Sequence, residues 1–475
     1  MVCLQVAAFS RARRLFSVKE GICMKLFVKD KEFYKMLLMI AIPIALQNLV
    51  TVMVSMMDTL MIGQLGEIQL SATSIANQLW FMLMICCFGI AGGANVLLAQ
   101  YWGKGDLPVM RRIQAITFKV TFAISLLFVL VSQAFPQQFM GIFTPDPETI
   151  ALGASYLRIV GWSYPLYALA NAAIMMLRSV GTVNISVIVY LVSLIVNTCV
   201  NYVLIFGHFG APRMEIRGAA VGTALSRCFE FGITMVFLLS KEKKIRFSLK
   251  DLLPNNRDLY RKYIAQSVPV IGNEAMWGIG ASMVAVVIGR MGTNFVAANS
   301  IYTVLNQLVT VLIFGVGNAA LTIVGNTIGT GNYELAKQRA LTLYILGAGI
   351  GILAGGLTLG LGPVLIRFYQ NLTPETVEIL EKIILVGAVI VFFQALAVVG
   401  MVGVLRAGGD SRFVFICEAS FLWGVAVPLG FLTGLVLGWP APVVFFILKS
   451  DEVLKTMVST VRILRFRWLR DITVS

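Results

Sequence analysis

Long apolar runs broken by short polar segments fill this chain, falling at 37–62, 74–99, 114–135, 151–177, 184–206, 218–240, 263–289, 299–325, 341–366, 384–405, 413–437 and 440–461. A run of about 18 or more apolar residues is long enough to cross roughly 30 Å of hydrocarbon. Inside lipid the backbone must satisfy its own hydrogen bonds, which makes each run a helix. The pattern predicts an all-α integral membrane protein with twelve transmembrane helices. The longest polar break is 241–262, near the midpoint. The expected organisation is an N-terminal cytoplasmic segment 1–36, a six-helix lobe 37–240, a linker 241–262, a second six-helix lobe 263–461 and a tail 462–475.

The two lobes repeat one another at an offset of 226 residues. Pro43 meets Pro269, Gly63 meets Gly289, Gly66 meets Gly292, Phe88-Gly89 meets Phe314-Gly315, and Gly103 and Gly105 meet Gly329 and Gly331. After a two-residue shift Leu177-Arg178 and Gly181 meet Leu405-Arg406 and Gly409. An even number of spans per repeat gives both lobes the same orientation, related by a pseudo-two-fold axis along the membrane normal. Parallel repeats of this kind enclose a substrate path at their interface.

Composition agrees: 58% of the residues are hydrophobic and 13% charged, against about a quarter charged in soluble domains. The net charge of +15 does not point to nucleic acid, because the basic residues lie in short inter-helix segments without interleaved aromatics. With the N-terminus inside, 28 Lys and Arg fall in the tails and inner loops and five in the outer loops. The positive-inside rule then places both termini in the cytoplasm, and a bacterial inner membrane is the expected setting. Arg11, Arg13 and Arg14 interrupt the apolar stretch before Met24, which argues against a signal peptide and makes Met24 an alternative start. Cys86, Cys87, Cys199, Cys228 and Cys417 fall in spans without metal-ligand spacing and are expected as small core residues. With one histidine, no phosphate loop and no catalytic constellation, neither an ATP motor nor an enzyme is indicated.

Several stretches resemble the multidrug and toxin extrusion (MATE) family. They are Ala41-Ile42-Pro43 leading into Met57-Asp58-Thr59 and on to Gly66, Gln100-Tyr101-Trp102-Gly103-Lys104-Gly105-Asp106, and Asn197 through Asn201 to Gly207, continuing to Gly218–Thr223. Pro269 through Asn273-Glu274-Ala275-Met276-Trp277, and Leu405-Arg406-Ala407-Gly408-Gly409-Asp410, extend the resemblance from about Lys35 to Arg470. It implies secondary active efflux of organic, mainly cationic, drugs in exchange for H+ or Na+, without a cofactor, by a chain able to work as a monomer in lipid. The alternative within transport is a flippase for lipid-linked saccharide precursors, which should carry a strongly cationic cavity.

Asp58 is the first candidate. A carboxylate inside a membrane helix costs about 2.5–3.5 kcal/mol on insertion scales and is kept where it faces a cavity or partner. Asn197 and Asn201, one turn apart, present two amides on one helix face. The resemblance implies that Asp58, with these amides and Thr223, forms the cation-coupling site, Asp58 being the metal ligand if the ion is sodium. Some family members carry Asp where this chain has Asn201, so the carboxylate count alone leaves the ion open. Glu274 occupies the repeat position of Asn48, giving each half one acid; with Asn273 and Trp277 it is a candidate for cation or substrate. Gln47, Asn48 and Gln78 are polar side chains in apolar helices and are expected to point inward, lining the cavity. Met53, Met56, Met57, Met61, Met82 and Met84 offer either an adaptable lining or plain packing. Arg227 with Glu230, and Asp451 with Lys455, stand at intrahelical pairing distances, while Glu418 and Glu452 have no evident partner in the sequence. Gly347, Gly351 and Gly355 lay a small-residue stripe along one helix, and His208 falls in an outer loop as a solvated side chain.

Overall fold

The computed structural model describes residues 27–253, 257–368 and 372–474; the alternative start at Met24 and the cysteines Cys3 and Cys23 lie outside them. Eleven helices long and apolar enough to cross a membrane follow in sequence: α1 Lys31–Gly63, α2 Glu67–Lys104, α3 Leu107–Ala134, α4 Pro147–Ser179, α5 Asn184–Phe206, α6 Ile216–Lys241, α7 Arg257–Arg290, α8 Thr293–Gly329, α9 Tyr333–Phe368, α10 Pro374–Leu405 and α11 Ser411–Val436. The twelfth crossing, α12, consists of two pieces, Ala441–Leu448 and Ser450–Leu464, separated at Lys449. The expected continuous run 440–461 is broken at Lys449, whose φ of −108° and ψ of 4° leave helical geometry. No strand occurs among the described residues, and the fold is the twelve-helix, all-α membrane architecture.

The repeat persists in the backbone angles. Gly66, between α1 and α2, has φ 127°, and its repeat mate Gly292, between α7 and α8, has φ 123°. A side chain would clash with its own peptide at such angles, so both tight reversals depend on glycine. Pro43 in α1 and Pro269 in α7 sit inside their helices at matching positions of the repeat, where each removes one backbone hydrogen bond.

The lobes meet through pairs that exchange under the pseudo-two-fold: α1 with α8, and α2 with α7. Glycines set these approaches. A methyl on Gly89 would strike Ile271, one on Gly93 would strike Ser267, and one on Gly315 would strike the Ala41 carbonyl and Ala45. At the far end of α2, Gly103 lies against the Asn326 carbonyl and Gly329 of α8. These crossings sit in the halves of the helices nearest the basic loops, called here the basic end. Leu37, Ile40 and Ile44 of α1, Val324 and Ile328 of α8, and Val404 and Leu405 of α10 share one buried cluster there.

The segment after α12 completes this closure. Gln100 of α2, fully buried, donates to the carbonyls of Ala407 (2.7 Å) and Arg470 (3.1 Å) and accepts from the Ile472 amide at 3.0 Å. Trp468 is buried against Gly408. The segment 241–253 packs back onto the first lobe: the Glu242 carboxylate accepts the amides of Lys244, Ile245 and Arg246, and Arg111 of α3 donates to the Ile245 carbonyl at 2.7 Å.

Burial corrects two expectations. Cys87 and Cys417 are buried, but Cys199 and Cys228 are exposed on the surface of the bundle, because α5 and α6 each show one face outward. Glu418 and Glu452 do have a partner: Lys455 lies 3.1 Å from Glu418, 2.8 Å from Asp451 and 3.5 Å from Glu452. The stripe of α9 packs on α10, with Gly347 against Val399, Gly351 against Phe392 and Ala395, and Gly355 against Ala388.

Candidate functional site

Asp58 projects from the outer half of α1 into the first lobe, toward α5. Asn197 and Asn201 of α5 are both buried. Asn201 Nδ2 donates to Asp58 Oδ1 at 2.6 Å and approaches Asn197 Oδ1 at 3.3 Å. The third wall is α6, which comes close because residue 222 is glycine; a Cβ there would collide with Asn201 Oδ1. Thr223 follows on the same helix with a buried hydroxyl, and Tyr156 of α4 lies within electrostatic reach of both Asp58 and Thr223. The structure thus brings Asp58, Asn197 and Asn201 together inside the first lobe, with Thr223 next to the Gly222 contact and beside Tyr156.

Asn197 Nδ2, Asn201 Oδ1 and Thr223 Oγ1 are buried without a protein hydrogen-bond partner. Buried polar atoms are normally satisfied; the Asn197 amide lies within reach of Asp58 and the Thr223 hydroxyl within reach of Tyr156, which leaves Asn201 Oδ1 as the unmet acceptor beside the carboxylate. As drawn, the amide of Asn201 offers its N–H to the carboxylate; a half-turn would offer oxygen instead. Hard cations require oxygen ligands, which Asp58, Asn201, Thr223 and Asn197 can supply. Among the described residues no group of three His, Cys, Asp or Glu side chains is arranged to hold a metal, so a metal ion here would depend on one carboxylate and neutral oxygens.

One turn beyond Thr223 on α6, Arg227 Nη1 donates to both carboxylate oxygens of Glu230, at 2.8 and 3.0 Å. Its guanidinium stands 4.7 Å from the Tyr167 ring centroid and 5.5 Å from that of Trp80, and Ser193 of α5 donates to Glu230. The i,i+3 pairing was legible from spacing. The clamp formed by α2, α4 and α5 around it was not.

The candidates for the substrate path divide. Asn273 is buried, Asn48 half-buried, and Gln78 and Trp277 are exposed, Trp277 by 45%. Glu274 is half-buried and its charge is met by Arg406 of α10, whose Nη2 lies 2.9 Å from Oε1. Gln47 is buried and lines no open path here, because its Oε1 accepts from Arg178 Nη2 of α4 at 2.6 Å. Sequence reading missed both arginines. Their partners lie more than 100 positions away, although the matched Leu-Arg pairs of the repeat had placed them at equivalent helix ends. Met53, Met56 and Met82 are exposed, Met57 and Met84 half-buried, and Met61 buried. His208 stacks on Tyr202 with ring centroids 4.3 Å apart.

Comparison with known proteins agrees with this fold. The MatE family profile matches twice, over residues 43–203 and 269–432, one match per lobe. The chain is 24% identical over 451 residues to the probable multidrug resistance protein NorM of Agrobacterium fabrum, covering 90% of this chain and 96% of that protein. It is 26% identical over 407 residues to the multidrug resistance protein PmpM of Pseudomonas aeruginosa, covering 84% of each. Among solved structures, the outward-facing conformation of a multidrug resistance MATE family transporter of the MOP superfamily superposes with a TM-score of 0.83 at 15% identity, covering 93% of this chain and 98% of that one. A MOP superfamily transporter from Pyrococcus furiosus superposes with a TM-score of 0.81 at 15% identity, covering 92% and 99%.

Proposed function

The chain belongs to the MatE family of transporters, and on that premise we propose that it is a secondary active antiporter that exports organic, mainly cationic, drugs in exchange for H+ or Na+. The observation that carries the reading is the Asp58 carboxylate held by Asn201 at 2.6 Å, with the unpaired oxygen of Asn201 beside it. A proton or sodium ion arriving there removes or balances the one charge of the first lobe's site. The drug path runs between the lobes, lined by Asn48, Gln78, Asn273, Glu274, Trp277 and the exposed methionines of α1 and α2, with Gln47 behind Asn48.

Ion and drug therefore occupy different places, and their exchange is conformational. The basic end is cytoplasmic by its charge, and both termini lie there, in a bacterial inner membrane. With that end closed by α2 against α8, the state seen here releases drug outward. Cation binding at Asp58 repacks α1 against α5 and α6 and so favours one arrangement of the lobes over the other; coupling requires the ion and the drug to differ in affinity between the two states. Glu274 becomes available to a cationic drug when Arg406 lets it go. Efflux of ethidium from energised vesicles, with the proton and sodium gradients clamped separately, tests the reading. Ethidium movement that follows neither gradient would overturn it.

A further inference from the structure

On the surface of the first lobe, α5 and α6 leave an open groove of about 580 Å³, lined by Ile185, Cys228, Phe229, Gly232 and Phe237 and ended by Lys241, the one charged residue of its lining. From Cys228 to Lys241 the helix α6 rises roughly 20 Å, about half of the 40–45 Å that a bilayer spans with its headgroups. The groove therefore runs the depth of one leaflet, with its cation at the basic end. Gly232 helps to form it. A Cβ there would meet nothing within 4 Å, so no neighbouring helix requires glycine at that position, and glycine is a poor helix former. What the missing side chain leaves is open space on the outer face of α6, at a height between Phe229 and Phe237. The mouth is basic beyond Lys241. Lys243, Arg246 and Lys250 follow it and are exposed, whereas the two acids of the segment 241–253 are engaged by backbone: Glu242 accepts three amides, and Asp251 accepts the Ser248 amide at 2.8 Å. Leu249 and Leu253 are exposed among these cations, the mixture of apolar and basic side chains that suits a segment lying on a membrane surface.

We infer that this groove is a binding site for one anionic phospholipid of the leaflet at the basic end. An acyl chain lies along α6 past Gly232, and the headgroup phosphate pairs with Lys241 and the cations that follow it. Charge complementarity names the occupant, since clusters of lysine and arginine just beyond a membrane helix attract anionic lipid. A zwitterionic lipid would bring its own ammonium to the same lysines, and a second copy of this chain packed through α6 would bring a second Lys241 to the same level. The inference needs only the membrane-spanning fold and is independent of the ion-coupling reading.

The test is native mass spectrometry of the full chain in detergent, titrated with phosphatidylglycerol and, separately, with phosphatidylcholine of the same acyl chains. The wild type is expected to hold one phosphatidylglycerol roughly fivefold or more tightly than phosphatidylcholine, the factor of a single cation near the surface. Lys241→Gln removes most of that preference and Lys241→Arg keeps it. Gly232→Leu fills the groove and weakens the binding of both lipids, whereas Gly349→Leu, at an exposed glycine of α9 whose Cβ would also meet nothing within 4 Å, changes neither. A phosphatidylglycerol carrying a diazirine in its acyl chain crosslinks within 228–241. Equal affinity of the wild type for the two lipids overturns the site, as does a preference that survives in both Lys241→Gln and Gly232→Leu, or a crosslink confined to other helices. Should Gly232→Leu fail to fold, Lys241→Gln, at an exposed helix end, decides alone. Competition by glycerophosphate as strong as by the intact lipid overturns the acyl-chain assignment, and a dimer that Gly232→Leu dissolves gives the face to a second copy instead.

Discussion

Asp58→Asn separates charge from shape at the proposed coupling site. The amide oxygen of the new side chain can still accept from Asn201 Nδ2, which now donates to Asp58 at 2.6 Å. A hydrogen bond to a charged group contributes about 1.5–3 kcal/mol and a neutral one about 0.5–1.5, so roughly 1 kcal/mol of stabilisation is lost. Removing a charge from a dehydrated site offsets part of that loss. The folded protein should therefore change little, its melting temperature in detergent falling by about 2–4 °C at most. Transport should change far more. Coupling free energies between sites run at about 1–3 kcal/mol, or 5–150-fold, and the variant lacks the charge through which the cation acts. Ethidium efflux from everted vesicles, normalised to the amount of protein in the membrane, should drop within that range and lose its response to the driving gradient. Efflux close to wild type, with membrane amount and melting temperature preserved, would refute the assignment of Asp58.

Arg227→Gln or Glu230→Gln alone strands a buried charge and should destabilise by about 3–5 kcal/mol, whereas the double substitution should recover much of the loss; detergent melting curves of all three variants give the comparison. Lys455→Met leaves Glu418, Asp451 and Glu452 facing one another without their ammonium and should abolish accumulation in the membrane, measured by quantitative blotting; normal levels would contradict the charge arrangement. Gly329→Val places methyls into the Gln100 carbonyl, so the basic end should spring open, read as faster labelling of a cysteine introduced at Ala99; unchanged labelling would show that the crossing is not the seal. Gln100→Ala removes two donated bonds and one accepted bond around residues 407–472 and should cost about 1–3 kcal/mol, measured by thermal unfolding.

The periodic and repeating parts of the fold were legible in the sequence because they are local or copied. Apolar runs placed α4, α5, α6 and α11 to within a few residues, whereas α1, α2, α3, α7, α8, α9 and α10 begin six to ten residues before the expected runs, where polar turns extend the rods beyond the hydrocarbon. Gly66 and Gly292 declared a shared reversal by recurring at the same offset. The break of α12 was hidden because hydropathy averages over Lys449. At the candidate site, Asn197 and Asn201 share a face by helical geometry alone, yet nothing in the order of residues showed that Asn201 would reach across to Asp58, 143 positions away. The Glu274–Arg406 and Gln47–Arg178 contacts, 132 and 131 positions apart, were out of reach for the same reason. Spacing rules see one turn of one helix, and these partners come from different helices.

Where α2 crosses α8 the two chains touch main chain to main chain, at Gly103 and Gly329, with no side chain intervening. A contact of that kind has no chemical preference of its own, and the buried apolar side chains of Ala99, Val324 and Ile328 complete the closure around it. On the proposed reading, the residues that choose cargo and the residues that close this end are different sets, so a shift in drug spectrum through the methionines or amides of the groove would leave the closure untouched.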